Sequence, residues 1–282
     1  MDVRAYLLER TPLVEQALER ALPPADAAPA KLHAAMRHLV FPAGKRLRPV
    51  LSLAAAEAVA APPEQALPFA TAVELVHTYS LVHDDLPCMD DDAERRGRPS
   101  VHVAYGEATA VLAGDALLAL AFEVLANAPG PAGASTQPRL AAMAELARAA
   151  GSLELVGGQS DDLSLDPGRV DAAQIESIHL RKTAALICAA IVGGALLGGG
   201  AQAQVAALRR FGLAVGVAFQ IADDVLDADE EESSSLVALL GVEGARQRGE
   251  KLLEEALACV EDFGERAEPL RALALFALRR QE

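Results

Sequence analysis

From Thr71 to Leu86 the apolar residues Val73, Val76, Leu81 and Val82 fall at the spacing of an α-helix that buries one face. Nowhere along the chain does a convincing apolar–polar alternation run between hairpin turns, so strands are not expected. Short breaks rich in Pro and Gly punctuate the pattern at Leu22-Pro23-Pro24, Phe41-Pro42-Ala43-Gly44, Ala61-Pro62-Pro63, Ala128-Pro129-Gly130-Pro131 and Asp166-Pro167-Gly168. Each reads as a connection between helices. Helices are therefore predicted near 2–21, 30–40, 46–60, 64–84, 106–127, 137–157, 171–197, 201–228, 242–262 and 265–280. With no solenoid repeat and no linker, the expectation is one all-α bundle of about ten helices spanning 1–282.

Composition strengthens this picture. Long stretches are built from Ala and Leu, aromatic residues are 4%, and there is no Trp, which favours helix on propensity. Ala184 to Ala203 carries no charge and has the length of a membrane span. Its low count of bulky apolar residues and its glycines instead predict a buried core helix in an otherwise acidic chain, and no membrane span. The net charge of −15 argues against nucleic acid as a partner, because phosphate backbones need clustered Lys and Arg. Cys88, Cys188 and Cys259 are too scattered for a zinc site or a disulfide frame and fit reduced thiols. Met1-Asp2-Val3-Arg4 opens no apolar signal core, so a cytoplasmic location is expected.

Two aspartate clusters carry the candidate chemistry. His83-Asp84-Asp85-Leu86-Pro87-Cys88-Met89-Asp90-Asp91-Asp92 places five Asp within nine positions at the end of an apolar helix. That end of the helix dipole is the unfavourable one for anions, so the cluster costs stability unless a cation arrives. Pro87 stops the helix and lets the second trio fold back toward the first pair. A solvated acidic helix end remains the alternative on this run alone. The second cluster, Phe219-Gln220-Ile221-Ala222-Asp223-Asp224-Val225-Leu226-Asp227, changes the balance, because its carboxylates interrupt an apolar helix. Asp223 and Asp227 stand four apart on one face, about 6 Å along the axis. No Lys or Arg lies between Arg210 and Arg246 to make a local salt bridge. Two such clusters imply facing walls of one magnesium site shared with phosphate oxygens.

Basic residues stand where a diphosphate would need them. Gly44-Lys45-Arg46-Leu47-Arg48 brings cations to a helix start, where free N–H groups also favour anions. Arg95-Arg96-Gly97 follows the first aspartates, and Lys182-Thr183 interrupts an apolar helix.

Taken in order, Gly44-Lys45-x2-Arg48, the first aspartate run with Arg95-Arg96-Gly97, Gly158-Gln159 with Asp162, Lys182-Thr183 and Phe219-Gln220-x2-Asp223-Asp224-x2-Asp227 resemble the trans-isoprenyl diphosphate synthases, or polyprenyl synthetases. The resemblance covers nearly the whole chain and is nearest to bacterial farnesyl diphosphate synthases, whose first motif carries a two-residue insertion like Pro87-Cys88. It implies an isoprenoid synthase fold around a central cavity, usually in a homodimer. It implies three Mg²⁺ ions, with Mn²⁺ as a substitute, bridging Asp84, Asp90 and Asp223 to an allylic diphosphate, supported by Asp85, Asp224 and Asp227. Arg95 and Lys182 would neutralise the departing diphosphate, and Gly44, Lys45, Arg48, His77 and Arg96 would hold isopentenyl diphosphate. The Lys182 carbonyl, Thr183 and Gln220 would stabilise the allylic cation, with Phe219 beside them in the substrate site. The released diphosphate would take the proton.

Product length would follow from the wall below the first motif, where Tyr79 and Ser80 lie about 6–7.5 Å beneath Asp84 on the same helix. In the resembled family an aromatic residue there limits the product to C15, so farnesyl diphosphate is expected, with geranylgeranyl diphosphate as the alternative. A terpene cyclase would carry an Asn/Ser/Glu motif in place of Asp223-Asp224-x2-Asp227 and would need no Lys45 and Arg48. A non-catalytic subunit of a heteromeric synthase would lose aspartates that this chain keeps. One departure stands out: Ala228-Asp229-Glu230-Glu231-Glu232-Ser233-Ser234-Ser235 has no Lys, whereas the family carries two on its lid at this place. Either that lid is lacking, with weak allylic binding as the consequence, or a mobile stretch between about Asp229 and Ser234 is left out of the sequence; the intact surroundings favour the second.

Overall fold

The computed structural model describes residues 1–41, 44–128, 135–165, 171–226 and 236–278. Among them run α1 (Val3–Ala21), α2 (Ala30–Val40), α3 (Leu47–Ala58), α4 (Leu67–Asp84), a short α5 (Val101–Tyr105), α6 (Glu107–Ala126), α7 (Gln137–Ala150), α8 (Leu155–Asp162), α9 (Ala172–His179), α10 (Ala185–Leu197), α11 (Gln202–Leu226), α12 (Leu236–Cys259) and α13 (Glu268–Leu278). The all-α expectation is borne out. Two predicted boundaries need correction. The helix expected over 137–157 is two helices, broken after Gly151, and α12 begins earlier than predicted and bends at Gly241, whose φ is 71°. The absence of hairpins is corrected too: Glu94–Arg95 pairs antiparallel with Arg98–Pro99. Arg96 and Gly97, both at positive φ (56° and 70°), form the two-residue turn whose twist matches such a pair. Asp227 and the lysine-free segment after it lie outside the described residues. So do several of the Pro- and Gly-rich connections.

The helices pack around α10. Every residue from Ala185 to Ala195 is buried, so the uncharged stretch is core. Leu186, Ala189 and Ala190 join a cluster with α2, α4, α6 and α7, while Ile187, Ile191 and Ala195 join one with α3, α11 and α13. Full burial of each Ile contributes roughly 2–3 kcal/mol. Close approach to α4 requires Gly193, where an added Cβ would lie 2.2 Å from the Phe69 ring. By length and composition alone, α6, the continuous 172–197 helix and α11 are each apolar enough to cross a membrane. The 172–197 helix is largely buried, but only a third of the most apolar window of α6 is, and Val111 and Leu112 there are exposed.

Candidate active site

The first wall is made where α4 ends. Leu86 N–H bonds the His83 carbonyl, Met89 N–H bonds Leu86, and Asp90 N–H returns to the Asp84 carbonyl at 2.9 Å. The chain thus folds back after Pro87, as its sequence predicts, and sets Asp90 beside Asp84. Burial pushes the Asp84 carboxyl up to about 7; Asp90 and Asp85 push the same way, while Lys182 and Arg95 oppose them. Burial also raises Asp90 against the pull of Lys182. Asp85 turns inward instead. Its side chain is fully buried and accepts from Arg95 Nε at 2.8 Å, while its Oδ2 has no hydrogen-bond partner among the described residues. Arg95 is further paired with Asp92.

The facing wall depends on an irregular turn. Between α9 and α10, Leu180–Ala184 forms a π-turn in which Ala185 N–H bonds the carbonyl five residues back, at Leu180. Such a turn disturbs the regular ladder and is frequent at functional sites. It carries both Lys182 and Thr183. Glycines let two helices lie directly on its backbone: a Cβ at Gly158 of α8 would lie 2.5 Å from Lys182 N, and one at Gly216 of α11 would lie 2.5 Å from Ala184 Cα. Lys182 Nζ meets Asp162 Oδ2 at 2.6 Å. The Thr183 hydroxyl donates to Gln220 Oε1 at 2.8 Å, and Gln220 Nε2 donates to Asp224 Oδ1 at 3.1 Å. The other Asp224 oxygen accepts Leu236 N–H at 3.3 Å and lies 3.5 Å from His179 Nε2. Asp224 is therefore an anchor for Gln220 and the start of α12. Asp223, one residue earlier on α11, is half-buried, and Phe219 is packed in the core cluster one turn behind.

These donors fit a hard divalent cation. All are carboxylate oxygens, and the half-buried Asp84 carboxyl is held beside the exposed Asp90 at a cost that positive charge would relieve. Among the described residues no three Asp, Glu, His or Cys side chains converge as a closed cage, so an ion would need oxygens from a substrate as well.

The basic side is more selective than the Gly44–Arg48 run suggests. Arg46 stands at φ 49° and turns into the core, paired with Glu74 at 2.5 Å and Glu15 at 2.6 Å. It fixes the start of α3 and is no part of an anion site. Lys45 is exposed, and Arg48 Nη1 lies 3.3 Å from His77 Nε2. Burial first, then Arg48, Arg96, Arg46 and Arg95, hold His77 well below its usual value, so it is neutral. Arg96, on the hairpin turn, donates to the Leu39 carbonyl at 3.1 Å. Its guanidinium lies against Gly44, where a Cβ would come within 2.8 Å. Gly44, Arg48, His77 and Arg96 thus gather as expected.

Below Asp84 opens a cavity of about 400 Å³. Tyr79, Ser80 and His83 of α4 form one wall, and Leu155, Gln159 and Leu163 form the other. Tyr79 is 5% exposed and lines this cavity. Ser80 Oγ donates back to the His77 carbonyl at 2.9 Å. Three residues absent from the predicted site belong to it: Asp162, His179 and Gln159. Gln159 is buried, with neither amide atom hydrogen-bonded among the described residues. The sequence signalled Gln159 and Asp162 only through their motif, and nothing in it singled out His179.

A polyprenyl synthetase family model matches residues 29–235, ending inside the lysine-free segment. The large subunit 1 of a heterodimeric geranylgeranyl pyrophosphate synthase from Arabidopsis thaliana is 42% identical over 298 residues, covering 99% of this chain and 80% of that one. That alignment is longer than this 282-residue chain, so the relative carries residues where this chain has none. Among solved structures, an FPP/GFPP synthase from Zymomonas mobilis superposes with a TM-score of 0.90 at 35% identity, covering 98% and 99% of the two chains. A geranyltransferase from Legionella pneumophila superposes at 0.89 with 33% identity, covering 99% and 96%. The chain belongs to the polyprenyl synthetase family and is a prenyltransferase of the chain-elongating, trans-isoprenyl diphosphate synthase type.

Proposed function

We propose that this chain joins isopentenyl diphosphate head to tail onto dimethylallyl and geranyl diphosphates and releases farnesyl diphosphate, C15. The observation that supports the reading is the cavity lined by Asp84 at its mouth and by the buried Tyr79 ring one turn and more below it on α4. Magnesium, three ions by family resemblance and manganese in their place, would neutralise the leaving diphosphate from Asp84, Asp90 and Asp223, with Asp85, Asp224 and Asp227 in the supporting role that the resemblance implies. Lys182 supplies charge from the facing wall, and Arg95 supplies it from the first, where it is paired with Asp85. Gly44, Lys45, Arg48, Arg96 and neutral His77 hold isopentenyl diphosphate, whose double bond attacks the allylic carbon. The Thr183–Gln220 pair presents fixed dipoles toward the developing cation, which costs no reorganisation during the step.

Geranylgeranyl diphosphate, C20, is the second reading, favoured by the name of the Arabidopsis relative. We further propose a homodimer through α6, whose exposed Val111 and Leu112 leave an apolar face to cover. The test is product analysis by mass spectrometry with dimethylallyl, geranyl and farnesyl diphosphate as primers. Diphosphate release that needs no isopentenyl diphosphate would point to a cyclase instead.

A further inference from the structure

Tyr79 does not form the α4 side of the cavity alone. His83 follows it by one helical turn on α4 and faces the same cavity. The two rings meet edge to face, with centroids 5.7 Å apart and planes at 82°. His83 Nε2–H donates to the Val111 carbonyl of α6 at 3.0 Å. Beneath the ring lies Gly114, also on α6. A Cβ added there would come within 2.1 Å of His83 Nε2 and 2.4 Å of Cδ2. The imidazole therefore sets its Nε2 edge directly against the α6 backbone, in a slot that exists because position 114 has no side chain.

We propose that the His83–Gly114 contact is a second determinant of product length, through a ring that braces Tyr79 and forms part of the cavity wall. The inference rests on the chain-elongation reading above. Edge-to-face packing leaves the Tyr79 ring little room to swing toward α6 while His83 is seated. Removal of the imidazole opens the α6 side of the wall and frees that ring, so the tail can grow further. A methyl at position 114 does the opposite, because backbone cannot yield and the ring must move off α6 toward the cavity.

The experiment measures the C10, C15 and C20 products from dimethylallyl and isopentenyl diphosphates for the unaltered chain, His83→Ala, Gly114→Ala, the double variant and Tyr79→Ala. His83→Ala should raise the C20:C15 ratio about tenfold, the low end of what a methylene's worth of room is worth in an apolar pocket. Gly114→Ala should raise C10 at the expense of C15. The double variant should behave like His83→Ala alone, since the methyl then has no ring to displace. Unchanged products in His83→Ala or Gly114→Ala, while Tyr79→Ala lengthens them, would overturn the proposal and leave the elongation reading standing. Unchanged products in Tyr79→Ala would remove the cavity reading itself, and the brace with it. If His83→Ala proves insoluble, the Gly114→Ala ratio decides alone.

Discussion

Arg46 and Arg48 lie two residues apart and have opposite fates. Arg48 reaches His77 in the proposed isopentenyl diphosphate site, while Arg46 is fully buried against Glu74. Removing one partner of such a pair leaves an uncompensated buried charge, which costs more than the pair contributes. Glu74→Ala should lower unfolding free energy by about 3–5 kcal/mol in urea titration. A loss below 1 kcal/mol would mean that Glu15 alone satisfies Arg46. At the other wall the Thr183 hydroxyl is fixed by Gln220, and Gln220 by Asp224. Thr183→Val keeps the shape and deletes that dipole, so kcat should fall about 10²-fold with a small change in KM for isopentenyl diphosphate. Equal changes in both would mean that Thr183 serves binding instead. Residues of this kind were legible in the sequence as types and spacings. Their partners were not: nothing local reveals that Asp85 turns inward to Arg95 on the hairpin, or that His179 of α9 faces Asp224 of α11, because both contacts depend on how the chain folds back on itself.

The elements show the same division. Helices with a long apolar period were readable, and α10 was recognisable as core from its lack of charge. The π-turn was invisible, since five residues cannot distinguish its wider period from an ordinary helix. The Arg96-Gly97 hairpin was missed because two-residue strands are too short to alternate. The seam between α7 and α11 offers a test at this scale. Buried Glu145 accepts from Arg209 at 2.6 and 2.8 Å, and also from Arg148. Burial works against its charge, but the Arg209 and Arg148 bonds outweigh it and hold the carboxyl below its usual value of 4.5. A depressed carboxylate stabilises the fold above the unfolded value and loses that contribution as pH falls through the folded one. Unaltered protein should therefore exceed Glu145→Gln by about 2 kcal/mol at pH 7. That difference should shrink as pH drops below about 4.5. A gap that stays constant down to pH 3.5 would contradict the assignment.

Across the whole molecule, α10 serves both core clusters, so its burial ties the two aspartate walls into one frame. The apolar face left over on α6 lies next to Gly114 and the cavity wall. If that face is covered by a second copy, Leu112→Asp should convert a dimer into a monomer in sedimentation or light scattering. A monomer in the unaltered chain would remove the dimer proposal. The site was legible at this scale because its carboxylates and cations are too costly on an apolar bundle without a ligand to match. Product length was less so, since it depends on which side chains meet across α4, α6 and α8. The proposed elongation to C15 is tested most directly by mass-spectrometric analysis of the products from dimethylallyl and isopentenyl diphosphates with Mg²⁺. Farnesyl diphosphate should be the dominant product, formed only when isopentenyl diphosphate is present. Cyclised hydrocarbon, or diphosphate release without isopentenyl diphosphate, would contradict it.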